Sequence, residues 1–166
     1  RRAQLHEVQP NTGHIALAEL DKHFEVCIIT QNVDDLHERA GSVRVVHLHG
    51  ELLKARSTQD SNLVYDWPKD ISIGDTCEKG AQLRPHIVWF GESVPMIEPA
   101  VHIVNKSDIL IVIGTSMVIY PAASLVGYAP SGIPRYYIDP KAHQVGGMSN
   151  MTIISKKAGE GVPDLV

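Results

Sequence analysis

The feature that most limits the fold of this chain is the alternation of short apolar runs with helix-like segments. Apolar runs typical of buried strands occupy residues 26–29, 43–48, 87–90, 108–113, 135–138 and 151–154. Segments typical of helices separate most of these runs and cover residues 14–24, 34–40, 98–105 and 121–128. Strands that are apolar on both faces and separated by helices predict an α/β fold, in which helices cover both faces of a parallel sheet.

Residues 51–86 interrupt this alternation, because they are polar and rich in turn-forming residues apart from a short apolar run at residues 63–65. We interpret this segment as a small lobe inserted between two strands of the main sheet. The main domain then consists of residues 1–50 and 87–166.

The composition excludes several classes of function. A chain of 166 residues with 43% hydrophobic and 20% charged residues is typical of one globular domain. A net charge of -4 gives no reason to expect nucleic acid or an anionic membrane as a partner, and no apolar run approaches the roughly 20 residues that span a bilayer. With only two cysteines, Cys27 and Cys77, we expect a cytoplasmic protein without disulfides, and we expect a monomer. Because the chain opens on Arg1 and not on methionine, we interpret it as a piece of a longer protein.

Polar residues cluster directly after three of the predicted strands. The clusters are Gln31-Asn32-Val33-Asp34, His47-Leu48-His49-Gly50 and Gly114-Thr115-Ser116. Ligands of parallel sheets bind at the carboxyl ends of the strands, and polar groups placed there are costly unless they bind something. We therefore predict that these clusters face a ligand.

Each cluster also has a purely structural interpretation. Hydroxyl and amide side chains after a strand often cap the backbone of the next element. The glycine and the backbone amides of residues 114–116 equally suit a phosphate or a ribose, because helix N-termini attract anions. From these residues alone, both alternatives stay open.

The histidines of the second cluster indicate one of two kinds of chemistry. His47 and His49 lie two residues apart on a predicted strand, hence on one face, and metal ligands can be spaced in this way. A metal-dependent hydrolase would need further ligands from His37, Asp34 and Asp35, and it would leave the Gly-Thr-Ser turn without a role. Alternatively, His49 is a general base, because it follows the strand beside a small glycine and histidine titrates near neutrality.

Five short motifs occur in order along the chain: TQNVD at residues 30–34, HLHG at 47–50, VWFGE at 88–92, IGTS at 113–116 and YPAA at 120–123. Together they resemble the motifs of the sirtuins, which are NAD-dependent protein-lysine deacylases, and the resemblance covers residues 9–163. The segments HGELLK and RPHIVWFGE are most similar to short bacterial sirtuins of the desuccinylase-like class. The resemblance implies a Rossmann-like NAD-binding domain, NAD as the cofactor, and acyl-lysine proteins or peptides as substrates.

The resemblance also implies roles for individual residues. His49 corresponds to the catalytic histidine, which acts as a general base toward a ribose hydroxyl. The expected cofactor-binding residues are Gln31, Asn32, Val33 and Asp34 on the nicotinamide side, Gly114, Thr115 and Ser116 at the adenosine-side ribose, and Asp139 and Ala158 near the adenine. At position 139 the family usually has asparagine. The expected peptide-binding residues, which clamp an extended peptide by strand addition, are Val88, Phe90, Gly91 and Glu92.

The sirtuin reaction gives these residues their chemistry. The acyl oxygen of the modified lysine attacks the first carbon of the nicotinamide ribose, and nicotinamide leaves. His49 then assists a ribose hydroxyl in its attack on the acyl carbon, which yields free lysine and O-acyl-ADP-ribose. The resemblance implies a dry tunnel lined by Val88 and Phe90 that orients the acyl-lysine, and no metal at the reacting centre.

The small lobe departs from the family pattern. Most sirtuins carry two Cys-x-x-Cys pairs there, which form a closed structural zinc site. In this chain Ser57 stands where the first cysteine is expected, and Cys77 has no partner cysteine in the lobe. We therefore expect no zinc. Instead, the lobe would be held by packing around Leu63, Val64, Tyr65 and Trp67.

The beginning of the chain departs from the pattern as well. Sirtuins begin with a strand and a Gly-Ala-Gly-Ile-Ser turn that cradles the NAD diphosphate, and this segment is not in the sequence given. The Tyr-x-x-Arg pair that selects acidic acyl groups would also fall here, with Arg1 or Arg2 as its arginine, and we assign Arg1. A preference for succinyl or malonyl over acetyl groups is therefore an expectation. The alternative is a non-catalytic fragment that binds peptides.

Overall fold

The computed structural model describes residues 2–115, 122–142 and 150–166 of the chain. The helices in these residues are α1 (Arg2–Glu7), α2 (Thr12–Leu20), α3 (Leu36–Ala40), α4 (Ile97–Val104) and α5 (Ala158–Leu165), together with a 3-10 helix at Ala122–Tyr128. The strands are β1 (Ile28–Thr30), β2 (Val45–His47), β3 (Gly50–Ser57), β4 (Val64–Asp66), β5 (Leu83–Ile87), β6 (Leu110–Ile113), β7 (Arg135–Ile138) and β8 (Met151–Ile154). Pro121, with which the predicted helix at residues 121–128 begins, lies outside the described residues.

The main domain is built on parallel strands. β1 pairs with β2, and β6, β7 and β8 form a three-stranded sheet in that order. Helices α2 and α5 cover this second sheet through Leu17 and Val162, which pack against the fully buried Ile138 of β7. The predicted α/β fold of parallel strands covered by helices is therefore confirmed.

The parallel strands form two sheets, where the sequence pattern predicts one. Among the described residues, no ladder joins β1 to β6. Ile28 of β1 nevertheless packs in one apolar cluster with Ile111 and Ile113 of β6. The two sheets therefore share a core, although they share no backbone pairing.

A second apolar cluster supports the segment between β2 and β3. Leu48, which is 1% exposed, packs with Ala100 and Val104 of helix α4 and with Leu125 of the 3-10 helix. Burying a leucine side chain stabilises a fold by roughly 1.5–3 kcal/mol. The position of Leu48 between His47 and His49 is thus fixed by packing.

The small lobe contains an antiparallel sheet in the order β4-β3-β5. Its core consists of Ala55, Cys77, Ala81 and Leu83, against which Leu63, Tyr65, Trp67 and Ile71 pack. Three of the four residues predicted to hold the lobe therefore do so, but Val64 is 38% exposed.

One predicted strand is wrong. The apolar run at residues 87–90 predicts a buried strand of the main sheet, but β5 ends at Ile87 and pairs within the small lobe. The side chains of Trp89 and Phe90 are 54% and 97% exposed. These aromatic residues gave the run its apolar character, yet they lie on a surface turn.

Helix boundaries follow from local capping. The side-chain oxygen of Asn11 accepts hydrogen bonds from the N–H groups of Gly13 at 2.9 Å and His14 at 3.3 Å, so α2 begins at Thr12. Helix α3 ends at Gly41 as predicted, because this glycine adopts a left-handed conformation with φ of 107°. None of the helices among the described residues is long and apolar enough to cross a membrane.

Candidate functional site

The segment after β1 presents two side-chain amides. Thr30 ends the strand, and its hydroxyl accepts a hydrogen bond from the N–H of Asn32 at 3.1 Å. The carboxylate of Asp34 accepts from the N–H of Leu36 at 3.2 Å, which starts helix α3. In the part of the chain that the structure describes, no hydrogen bond involves the side-chain amides of Gln31 and Asn32. Both amides are therefore free to meet a ligand.

His49 contacts the backbone of this segment and is held in one tautomer. Its Nδ1–H donates a hydrogen bond to the backbone carbonyl of Gln31 at 3.1 Å. A carbonyl oxygen can only accept, so the proton of the neutral ring sits on Nδ1 and the lone pair on Nε2. This arrangement suits a general base, because Nε2 is the nitrogen that can take a proton from a ligand hydroxyl.

His47 has a different environment from His49. Strand β2 ends at His47, and His49 lies in the turn that follows, so the prediction that both histidines share one strand face is wrong. The ring of His47 faces the carbonyl of Asn32 at 3.3 Å through Nδ1 and the carboxylate of Glu38 at 2.6 Å through Nε2. Both ring nitrogens of His47 face acceptors within the protein, so neither is left to bind a ligand.

The ligand set of a metal hydrolase is not assembled. Within residues 2–115, 122–142 and 150–166, no three His, Cys, Asp or Glu side chains are grouped so that they could hold a metal ion. The ring of His37 instead packs against that of His14, with 4.6 Å between their centroids. Burial, together with the nearby His14, lowers the pKa of His37.

Gly50 allows the small lobe to approach the histidine. It has φ of 79°, and a Cβ atom at this position would lie 2.1 Å from the carbonyl oxygen of His86. Only glycine tolerates both this conformation and this contact. Directly beyond it, the N–H of Val88 donates a hydrogen bond to the carbonyl of His49 at 2.9 Å. The predicted peptide-binding segment therefore begins at the backbone of the predicted base.

The rest of that segment is an exposed turn. Phe90 is 97% exposed, so among the described residues it does not line the closed tunnel that the resemblance implied. Gly91 has φ of 87°, in the left-handed region. The carboxylate of Glu92 accepts hydrogen bonds from Arg84 at 2.7 Å and from Arg56 at 3.2 Å. The bond from Arg84, followed by that from the N–H of Trp89, lowers the pKa of Glu92 to about 2.

The sequence interpretation missed Arg56 and Arg84. Arg84 opens the segment RPHIVWFGE but was given no role of its own, Arg56 lies in no quoted motif, and the two are 28 positions apart in the chain. They become neighbours only through the pairing of β3 with β5, in which Arg56 lies directly opposite Arg84. Long-range antiparallel pairing of this kind leaves no local signal in a single sequence.

A second group of predicted residues lies at the carboxyl ends of β6 and β7. The N–H of Gly114 donates to the carbonyl of Ile138 at 2.9 Å, and the Tyr137 hydroxyl donates to the carbonyl of Thr115 at 2.7 Å. Gly114 has φ of 59°, and a Cβ atom there would have no atom of the described residues within 4 Å beyond its chain neighbours. This turn thus leaves room for a ribose or phosphate beside the strand ends. Ser116 lies outside the described residues.

Asp139 and Ala158 flank this group. One carboxylate oxygen of Asp139 accepts from the N–H of Lys141 at 2.7 Å, so this side chain is partly used by its own turn. Ala158 begins helix α5 and packs in the cluster around Leu17 and Ile138. Together with the open turn at Gly114, the free amides after β1 and the single tautomer of His49, this set of residues fits a dinucleotide bound along the strand ends.

Of the two arginines at the start of the chain, the structure describes Arg2. Arg2 is 6% exposed, and its guanidinium donates to the backbone carbonyls of Lys54 at 3.0 Å, of Lys69 at 3.1 Å and of Trp67. It anchors α1 to the small lobe and is not available to an acyl carboxylate. Arg1 lies outside the described residues.

The side chains in the turns of the small lobe do not fit the structural zinc site that most sirtuins carry there. The sulfur of Cys77 lies 3.4 Å from the hydroxyl oxygen of Ser57, and a hydrogen bond from this hydroxyl to the thiolate lowers the pKa of Cys77. The same hydroxyl oxygen accepts from the N–H groups of Gln59 at 3.2 Å and Asp60 at 3.3 Å. The ammonium of Lys79 meets the Asp60 carboxylate at 2.8 Å. A hydroxyl, a single thiol and an ion pair are not the ligands of a structural zinc ion.

The chain is similar to a known family over most of its length. The sequence model of the Sir2 family matches residues 1–121. An NAD-dependent protein deacylase from Helicobacter pylori (strain J99) is 56% identical over 166 residues, which are 100% of this chain and 71% of that protein. An NAD-dependent protein deacylase from Bacteroides thetaiotaomicron is 50% identical over 171 residues, covering 99% of this chain and 73% of that protein.

Solved structures agree with these relatives. The crystal structure of a Sir2 homolog–NAD complex matches with a TM-score of 0.84 and 41% identity, over 95% of this chain and 63% of that chain. A Sir2–p53 peptide–NAD+ complex matches with a TM-score of 0.77 and 27% identity, over 98% of this chain and 71% of that chain. The chain thus spans less than two thirds of the protein in the first structure. It spans just over 70% of the protein in the second structure and of each of the two relatives.

Proposed function

The chain belongs to the Sir2 family, and on this premise we propose that the protein is an NAD-dependent protein-lysine deacylase. The observation that carries the proposal is the hydrogen bond from His49 Nδ1–H to the backbone carbonyl of Gln31, which leaves Nε2 as a base and ties it to the segment that carries two free amides. The names of the relatives and the NAD in the matched complexes support the same activity.

Each group of residues has a task in this activity. When bound, NAD would supply the ribose carbon and hydroxyl that receive the acyl group, and with one water molecule the products would be nicotinamide, the free lysine and O-acyl-ADP-ribose. Gln31 and Asn32 orient the nicotinamide side, and the turn at Gly114 receives the adenosine-side ribose. His49 Nε2 removes the proton from the ribose hydroxyl while the Gln31 carbonyl holds the Nδ1 proton.

The substrate is an acyl-lysine in an extended peptide. The segment from Val88 to Glu92 follows a strand and ends on an exposed turn, which suits the addition of a peptide backbone at its edge. The p53 peptide in one matched complex supports a peptide ligand for this chain as well.

We further propose that acidic acyl groups, succinyl and malonyl, are accepted along with acetyl. The similarity of HGELLK and RPHIVWFGE to the desuccinylase-like class supports the proposal that succinyl and malonyl groups are accepted. Because the guanidinium of Arg2 is occupied by three carbonyls, Arg1 is the arginine left to pair with an acyl carboxylate. Arg1→Met is expected to lower kcat/KM for a succinyl-lysine peptide and to leave the value for the acetyl-lysine peptide nearly unchanged.

We also propose that the small lobe keeps its shape without zinc. The hydrogen bonds of Ser57 and the ion pair between Asp60 and Lys79 link the turns that a metal would otherwise join. Metal analysis of the purified protein tests this proposal together with a thermal melt in the presence of a chelator. One zinc per chain, or a melt lowered by the chelator, would contradict it.

The activity is tested by mass spectrometry of acetyl-lysine and succinyl-lysine peptides incubated with NAD. The assay compares this chain, a version extended at its N-terminus to the length of the curated relatives, and the extended His49→Ala variant. His23→Ala, at an exposed position, is the matched control. O-acyl-ADP-ribose from the extended protein and from the control, with none from His49→Ala, supports the proposal.

The same assay separates the alternatives. Hydrolysis that needs a metal, stops with a chelator and proceeds without NAD indicates the metal-dependent hydrolase. Peptide binding without release of nicotinamide, even from the extended protein, indicates a non-catalytic binding protein. Either outcome would overturn the deacylase proposal.

A further inference from the structure

The carboxylate of Glu92 joins the exposed turn to two neighbouring strands of the small lobe. It accepts from Arg84 on β5 at 2.7 and 3.2 Å and from Arg56 on β3 at 3.2 Å. The side chains of these arginines are only 27% and 15% exposed, and that of Glu92 is 34% exposed. Partly buried bidentate pairs of this kind are among the stronger hydrogen bonds in proteins.

The two arginines need a shared carboxylate. Arg56 and Arg84 lie directly opposite each other in the antiparallel pairing of β3 with β5, and like charges in that relation repel. Glu92 is placed between them and neutralises this repulsion. Without its charge, both guanidinium groups are expected to move apart and to release the turn.

The same cluster determines how the chain leaves β5. Arg56 and Arg84 both donate to the carbonyl of Ile87, the last residue of that strand, at 3.4 and 3.3 Å. Glu92 closes the turn by accepting from the N–H of Trp89 at 3.0 Å, while its own N–H donates to the Trp89 carbonyl at 3.0 Å. The turn is thus held at its end by Glu92.

The beginning of the turn is held separately. There the N–H of Val88 donates to the carbonyl of His49. Between these two attachments, Trp89 and Phe90 are exposed and pack into none of the apolar clusters of the described residues. Their placement therefore depends on the backbone of the turn, which the cluster around Glu92 fixes.

We propose that Glu92 is a positioning residue for the acyl-lysine substrate, which acts through Arg84 and Arg56 and does not itself touch the reacting atoms. The cluster holds the turn in the form that receives the peptide, and it thereby links the small lobe to substrate binding. This inference rests on the proposed deacylase function. It assigns to the arginine pair a role in peptide affinity that is separate from the chemistry at His49.

The test is steady-state kinetics of the extended protein with an acyl-lysine peptide. Loss of a charge-assisted hydrogen bond costs roughly a factor of ten, so Glu92→Gln is expected to raise KM for the peptide about tenfold. The value of kcat at saturating peptide and the KM for NAD are expected to stay within about a factor of two, as is typical when uniform substrate binding is lost. Glu98→Gln, at an exposed position on α4, is the matched control and is expected to behave as the wild type.

A double-mutant cycle separates positioning from a general loss of structure. Arg84→Met is expected to raise KM for the peptide, and adding Glu92→Gln to it is expected to have a clearly smaller effect than in the wild type, because the pair between Glu92 and Arg84 is already broken and only the ion pair with Arg56 remains to be lost. The unchanged KM for NAD shows that the main domain remains folded in each variant. Independent effects of the two changes, or a fall in kcat without a change in KM for the peptide, would overturn the inference.

Failure of the proposed function gives a different result. If the wild-type extended protein neither releases nicotinamide nor binds a fluorescently labelled acyl-lysine peptide, the deacylase proposal fails and the role of Glu92 fails with it. If the wild type turns over and Glu92→Gln matches it in KM for the peptide, only the role of Glu92 is overturned.

Discussion

The backbone N–H of Val88 donates a hydrogen bond to the carbonyl oxygen of His49 across 2.9 Å. The side chain of the same histidine donates to the carbonyl of Gln31, at the carboxyl end of β1. One residue therefore connects the parallel strands of the main domain with the segment that we propose to bind the peptide. In the proposed activity the same backbone would position both the base and the substrate, so a change in the turn after His49 is expected to disturb both.

Gly50→Ala is expected to destabilise the fold severely. The new Cβ atom would lie 2.1 Å from the His86 carbonyl, in addition to the cost of φ at 79°. Together these effects are expected to lower the free energy of unfolding by about 2–4 kcal/mol, measured by urea denaturation. Gly80→Ala is the matched control, because Gly80 has φ of 78° and no atom within 4 Å of the added Cβ. Equal losses in the two variants would show that the close approach at Gly50 has no energetic role.

The tautomer of His49 can be measured directly. Because its Nδ1–H donates to the Gln31 carbonyl, the neutral ring is expected to carry its proton on Nδ1 and none on Nε2. Nitrogen-15 chemical shifts of the imidazole, recorded above neutral pH, distinguish the two tautomers. The ring of the exposed His23 provides an internal comparison. A protonated Nε2 in His49 would contradict its assignment as the base that faces the ribose hydroxyl.

Ser57→Ala tests how the small lobe is held. Ser57 is 3% exposed, its oxygen accepts from the N–H groups of Gln59 and Asp60, and the same hydroxyl contacts the sulfur of Cys77. Removing the hydroxyl leaves these partly buried N–H groups without their partner, so the free energy of unfolding is expected to fall by about 1–2 kcal/mol. Ser61→Ala, at an exposed position in the same lobe, is expected to change it by less than about 0.5 kcal/mol. Equal stability of the two variants would show that the hydrogen bonds of Ser57 do not hold the turns of the small lobe together.

The sequence predicts the elements whose signal is local. The runs that became β1, β6 and β7 are apolar because these parallel strands are largely covered, and polar residues follow each of them. The glycine after α3 predicts its end, since a left-handed residue there favours glycine. The motif HLHG likewise marks the turn that contains the candidate base.

What the sequence does not reveal depends on contacts between distant segments. Trp89 and Phe90 give residues 87–90 the appearance of a buried strand, although nothing in the described residues covers Phe90. The role of His47 depends on Glu38, which the fold brings to its ring. The cluster around Glu92 depends on the register that places Arg56 opposite Arg84. Register is a property of two paired strands and cannot be read from either strand alone.

The pair formed by His14 and His37 predicts a pH dependence of stability. Burial is the main cause that lowers the pKa of each ring below its ordinary value of 6.5, and the two rings lie 4.6 Å apart. The other groups that act on His37 are Asp34 and Glu38, which favour its charged form, and His47, which opposes it.

Below the ordinary histidine pKa of 6.5, the unfolded chain binds protons that the folded chain does not. The contribution of these two rings to the free energy of unfolding is therefore fully present above pH 6.5. It is lost as the pH falls toward the lower pKa values of the folded chain. The urea midpoint is expected to decrease between about pH 7.5 and about pH 5.5, and the decrease is expected to be shallower in His37→Gln than in the wild type. The control His23→Gln, at an exposed position on the loop after α2, is expected to keep the wild-type slope. Equal slopes in His37→Gln and the wild type would show that the ring of His37 takes up its proton as readily in the folded chain as in the unfolded one.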